Sequence, residues 1–247
     1  MPTRAAPRPS PVNELTIDVP AARTLRLRVA LAAIGPVLAA SAWPQVGGSV
    51  SVQSDYRFRG VSLSDGKPDL RLSLAYDAPN GVYAGASATG VEFDRAPRQL
   101  ELLGYAGYTW RAGAGLHWEL GVTAAHFTGR TRYDYQEIFA GLLAERWSAR
   151  VYYSPDYFAS GVPTMYTELN GGVPLHASLR AFGHVGALNR LRGSAQRTRV
   201  DARAGLALAR DALELQLAWH GIGRDSSYPA AYDRRRTGWV LSASYSF

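Results

Sequence analysis

The sequence predicts an all-β protein: a transmembrane antiparallel up-and-down β-barrel of about 12 strands, with short periplasmic turns and longer extracellular loops. Three observations predict it. Apolar and polar residues alternate with period two in segment after segment, the connections between segments alternate in length, and the chain ends on GWVLSASYSF, an alternating stretch with an aromatic as its last residue. A helix would scatter such residues around its circumference, whereas a strand sorts them onto two faces.

Residues 1–42 read as an N-terminal extension plus a cleavable signal peptide. In RTLRLRVALAAIGPVLAASA, residues 23–42, three arginines precede a mainly apolar run broken by Gly35 and Pro36, and Ala40, Ser41 and Ala42 offer a small-residue cleavage site before Trp43. The run is shorter than the ~20 residues of a spanning helix. Residues 1–20 lie ahead of an ordinary signal peptide and read as an upstream extension. Removing residues 1–42 takes away five arginines and two acids and lowers the formal charge from +7 to +4. The remaining arginines are scattered among acids, so nucleic acid is not an expected partner. The chain has no cysteine, which excludes disulfide scaffolds, thiolate metal sites and cysteine nucleophiles.

From Trp43 onward the chain reads as the barrel, residues 43–247. Alternation places strands at approximately 49–59, 69–76, 82–89, 99–110, 116–127, 135–144, 147–154, 164–173, 177–186, 198–208, 212–220 and 237–247. In SVSVQSDYRFRG, Val50, Val52, Tyr56 and Phe58 fall on the lipid face, and Ser51, Gln53, Asp55, Arg57 and Arg59 on the lumen face. The following residues, VSLSDGKP, read as the first outer loop, with Gly66 and Pro68 supplying its turn geometry. Leu70, Leu72 and Leu74 oppose Arg71 and Ser73; Val200, Leu206 and Leu208 share parity against Arg199, Asp201 and Arg203; Leu213, Leu215, Leu217 and Trp219 oppose Glu214, Gln216 and His220. The even number of strands returns both ends of the barrel to one side.

Physics then closes the sheet. Strands with apolar residues outward would aggregate in water as an open sheet, and in a bilayer every backbone N–H and C=O needs an internal partner, which a closed barrel provides. Tyr56, Phe58, Tyr76, Tyr108, Trp110, Trp118, Trp219, Trp239 and Phe247 near strand ends fit the two interfacial girdles. Within the last strand Trp239, Tyr245 and Phe247 share a face, and a terminal strand ending in phenylalanine resembles the signal that the bacterial barrel assembly machinery reads.

YRFRGVSLSDGKP in residues 56–68, YDAPNGVYAG in 76–85, YYSPDYF in 152–158 and GHVG in 183–186 occur in an order that resembles the TorF-type porins of proteobacteria, the Gcw_chp family. The resemblance implies an integral barrel of the outer membrane with a loosely defined transport role. It implies no catalytic residues.

Chemistry in the sequence is sparse. No H-E-x-x-H or G-x-S-x-G motif occurs, and no cofactor or metal is expected. The predicted lumen-lining residues are Asp55, Arg57, Arg59, Arg71, Glu101, Glu168, Arg180, Arg199, Asp201 and Arg203. Two readings stand for them: a path for anionic or zwitterionic small solutes, or internal salt bridges that plug a barrel with a structural or surface-interaction role. Outer-membrane lipids surround the barrel in either case. YDRRRTG, residues 232–238, places three arginines in the longest outer loop, where lipopolysaccharide phosphates are the candidate contact.

Overall fold

A computed structural model describes residues 45–92, 97–113, 115–129, 133–192, 198–223 and 236–247. The signal peptide, and Arg234 and Arg235 of the longest loop, lie outside the described residues. Twelve strands among the described residues form one closed antiparallel barrel. They are β1 (Gln45–Gln53), β4 (Asp69–Asp77), β5 (Val82–Val91), β6 (Gln99–Gly113), β7 (Leu116–Phe127), β8 (Tyr135–Leu143), β9 (Trp147–Ser154), β10 (Thr164–Pro174), β11 (Leu179–Arg190), β12 (Thr198–Arg210), β13 (Leu213–Ile222) and β14 (Thr237–Ser246). Each pairs with its sequence neighbour around the barrel, and β14 closes on β1. The remaining two strands, β2 (Arg57–Phe58) and β3 (Val61–Ser62), form a separate small hairpin.

The alternation read from the sequence is the alternation of the wall. Leu72, Leu120, Ile138, Leu169, Leu206, Leu217 and Leu241 stand exposed on the outer surface. A soluble monomer rarely carries an apolar surface of that extent; lipid is the solvent that suits it. Trp110 pairs in register with Trp118 near one end of the barrel and Trp219 with Trp239 near the other, all four facing outward.

The seam depends on a glycine. Gly48 and Phe247 exchange backbone N–H···O bonds of 2.9 Å in both directions. A Cβ on Gly48 would lie 2.6 Å from the Phe247 ring, so the terminal ring lies across the bare backbone of the first strand. Gly48→Val is therefore expected to force that ring off the seam and to cost ~1–3 kcal/mol of overpacking strain. The measurement is the temperature at which the folded barrel loses its shifted mobility on an SDS gel, and an unchanged temperature would refute the seam's role.

Glycine also shapes the inside. Tyr83 faces Gly107, Tyr105 faces Gly85, Phe139 faces Gly121 and Phe182 faces Gly205 as direct cross-strand partners. Each ring lies along the wall over a position with no side chain, and this lets a twelve-stranded barrel hold interior aromatics.

The first strand is shorter than its alternation suggests. It ends at Gln53, where Ser54 N–H donates to Leu241 O (2.9 Å) and Leu241 N–H donates to Ser54 Oγ (3.0 Å). Residues 54–68 then turn into the barrel. Tyr56 and Phe58, expected toward lipid, are buried inside, at 1% and 7% exposure. The physical reason is the Tyr56 hydroxyl and its charged neighbours: in the lumen each finds a polar partner, and in lipid none would.

Candidate functional site

The hairpin and its seat form the most organised cluster of functional groups among the described residues. Arg59 (φ +47°) and Gly60 (φ +78°) make the tip between β2 and β3. Both lie in the left-handed region, and Gly60 sits so close to the wall that a Cβ would be 2.8 Å from Asp201 Cβ and 3.1 Å from Ile222 Cβ. The tip thus touches β12 and β13. From the same tip Arg59 reaches the opposite wall, donating from Nη1 to Glu137 Oε1 (2.8 Å) and from Nη2 to Glu137 Oε2 (2.7 Å). Its guanidinium stacks on Tyr166 at 4.0 Å, with Phe58, Tyr152 and Tyr157 at 4.9, 5.0 and 5.2 Å. Burial works against the Arg59 charge, but Glu137, with Tyr157 and Tyr166 beside it, outweighs that cost and holds its pKa well above the ordinary arginine value.

The base of the hairpin is tied as tightly. Arg57 Nε donates to Asp55 Oδ2 (2.7 Å), and Asp55 Oδ1 accepts from Ser62 Oγ (2.5 Å) and Ser64 Oγ (3.2 Å). Tyr56 OH donates to Glu101 Oε2 (2.7 Å) across to β6, while Arg71 lies 4.6 Å above the Tyr56 ring and donates to Thr89 Oγ1. Leu63 O accepts from Glu92 N–H (2.7 Å). A second outer loop, 155–163, adds the 3-10 turn Tyr157–Ala159, whose Phe158 stacks on Tyr135 at 4.8 Å. Tyr56, Phe58, Val61 and Leu63 thereby join Phe127, Tyr135, Tyr152, Tyr157 and Tyr166 in one aromatic core across the loop end of the lumen.

Below that core the walls differ. On β5 to β10, Arg150 Nε donates to Glu119 Oε2 (2.6 Å), Tyr83 OH to Glu119 Oε1 (2.7 Å), and Tyr152 OH to Glu168 Oε1 (3.3 Å). Across β10 to β12, His184 bridges Asn170 Oδ1 (2.7 Å) and Asp201 Oδ1 (2.9 Å), and Tyr166 OH also donates to Asp201. Arg199 and Arg203 are buried on the inner face of β12, with Arg203 over the Phe182 ring at 4.9 Å. Arg180 pairs with Glu214 at 3.1 Å nearer the turn end. By contrast the inner face of β1, β4, β5 and β14 carries Ser49, Ser51, Ser73, Ser87, Ser242 and Ser244, all partly exposed and linked in register as Ser87 to Ser73, Ser73 to Ser49, and Ser51 to Ser244. That side is a hydroxyl-lined vestibule.

The ten residues expected at the lumen are thus distributed over two elements. Asp55, Arg57 and Arg59 sit on the hairpin that crosses the lumen, whereas Arg71, Glu101, Glu168, Arg180, Arg199, Asp201 and Arg203 sit on the wall. Trp239, Tyr245 and Phe247 face outward on β14 and at its end. The aromatic cage around Arg59 escaped the sequence reading. Its signal was present: Tyr152 and Tyr166 share parity with Arg150 and Glu168, so they belong to the polar face and not to the lipid face.

Residues 38–247 match the family described as "Bacterial protein of unknown function (Gcw_chp)". No curated protein matches the sequence. Among solved structures the barrel is similar to the KdgM porin, at 11% identity and TM-score 0.51, over 82% of this chain and 98% of that one. It is also similar to the NanC porin, at 8% identity and TM-score 0.56, over 81% and 99%. These likenesses concern the fold, a twelve-stranded barrel of porin type; with the family match spanning residues 38–247, the chain belongs to the Gcw_chp family.

Proposed function

We propose that the protein is an outer-membrane channel for small polar solutes, normally narrowed by its own inward-folded hairpin. One observation carries this reading: the partly exposed serine wall of β1, β4, β5 and β14 leads from the turn end up to the hairpin and gives a solute hydroxyl partners in place of water. A barrel meant only to be filled would have no use for small side chains on one third of its wall. The TorF-type relationship, passage through the inner membrane by a signal peptide, assembly through the terminal strand with Trp239, Tyr245 and Phe247, and contact of the outer loops with lipopolysaccharide belong to the same reading.

A second reading is favoured by the aromatic core, which fills the loop end and suits a non-conducting barrel with an envelope-structural or surface-interaction role. The two are separated in planar bilayers and solute-loaded liposomes. The channel reading expects small conductance steps from the wild type, and larger, longer ones when residues 56–63 are replaced by a short glycine-serine linker. Silence from both proteins, with no solute uptake, would leave the second reading. Neither reading assigns catalysis to the chain.

A further inference from the structure

Resting on the channel reading, we infer that the constriction prefers small anions, and that Arg203 and His220 on the wall with Arg57 on the hairpin set that preference. His184, Arg203 and His220 are successive register partners on β11, β12 and β13, all facing inward. The next position around the barrel is Gly238 on β14, the partner of His220. There the wall has no side chain, and the space is taken by the Arg57 guanidinium: a Cβ at Gly238 would lie 3.1 Å from Arg57 Nη2. Four nitrogen-bearing side chains therefore follow one another along four adjacent strands. His220 is 5% exposed, and its Nε2 makes no hydrogen bond among the described residues.

The acids lie elsewhere or are already engaged. Glu101, Glu119, Glu137 and Glu168 occupy the arc from β6 to β10, where each accepts from a tyrosine hydroxyl or an arginine. Asp55 is held by Arg57, Ser62 and Ser64, Asp201 by His184 and Tyr166, Glu214 by Arg180 and Gln216, and Asp69 by Arg98. The serine vestibule runs along β14, β1 and β4, and β14 borders β13, whose inner face carries Glu214, paired with Arg180, toward the turn end and His220, beside Arg57, toward the hairpin. Carboxylate and phosphate oxygens are the groups that guanidinium and imidazole donors recognise, and such a row favours their entry in a water-poor constriction.

The experiment is the reversal potential of single barrels under a potassium chloride gradient, repeated with sodium formate and sodium phosphate. The wild type is expected to pass anions in preference to cations. Arg203→Gln, which removes a charge, and His220→Leu, which removes the ring donor, are each expected to lower that preference about threefold, while Arg203→Lys, which keeps the charge, retains it. Folding of every variant is checked by its shifted mobility on an SDS gel. Cation preference in the wild type, or a ratio unchanged in both Arg203→Gln and His220→Leu, overturns the inference and leaves the channel standing. Absence of conductance in all of them overturns the channel reading and this one together.

Discussion

Arg59→Ala is expected to give a barrel that still folds but conducts in larger and noisier steps than the wild type. The side chain makes a bidentate ion pair between the hairpin and the wall, at 2.8 and 2.7 Å to Glu137, and its cationic plane fills the space between Phe58, Tyr152, Tyr157 and Tyr166. Removing it leaves a buried carboxylate with no counter-charge, a change that typically costs about 3–5 kcal/mol. The hairpin can relieve that cost by leaving its seat and letting water reach Glu137. The wall strands cannot, because their backbone bonds hold them. Most of the loss is therefore expected at the hairpin, as protease sensitivity within residues 54–68 and as increased conductance. Arg59→Ala combined with Glu137→Gln removes the stranded charge and should recover part of the closed behaviour. A single variant with wild-type conductance and intact hairpin protection would refute the lock.

Arg150→Met is expected to produce the opposite pattern, a large loss of stability with the hairpin still seated. Arg150 lies on β9, 3% exposed, between Glu119 at 2.6 Å and Glu168 at 3.5 Å, both of them on wall strands. Its removal strands two carboxylates in the packed half of the barrel, again at about 3–5 kcal/mol, and neither strand can move away to find water. The urea midpoint of the folded barrel in detergent micelles should fall. The conductance and the protection of residues 54–68 should stay close to wild type. If the hairpin were released as readily as in Arg59→Ala, wall and hairpin would be one cooperative unit and the separation drawn between them would fail.

The family resemblance acquires a physical basis from these contacts. YRFRG supplies Tyr56, Phe58 and Arg59; YYSPDYF supplies Tyr152 and Tyr157; GHVG supplies His184 and Gly186. These segments lie far apart in the chain and meet around the Arg59 guanidinium and the Tyr166 ring. Tyr166 stacks under Arg59, its hydroxyl bonds to Asp201 and lies 3.1 Å from His184 Nε2, and its ring lies over Gly186, where a Cβ would stand 2.5 Å from Tyr166 Cζ. The short motifs are the parts of one lock.

The sequence by itself determined the barrel. Period two is a local property of each strand, so Leu70, Leu72 and Leu74 against Arg71 and Ser73 could be sorted without knowing any partner, and strand ends such as those of β7 and β9 agree with the spacing of the alternation. The same rule misplaced Tyr56 and Phe58, because alternation states which residues share a face and not which solvent that face meets. Only the tertiary structure decided that the segment after Gln53 leaves the wall. The physical reason is long-range: Glu137 lies 78 residues from Arg59 and Glu101 lies 45 from Tyr56, and it is these partners, brought together by barrel closure, that make the lumen a better place than lipid for the hairpin.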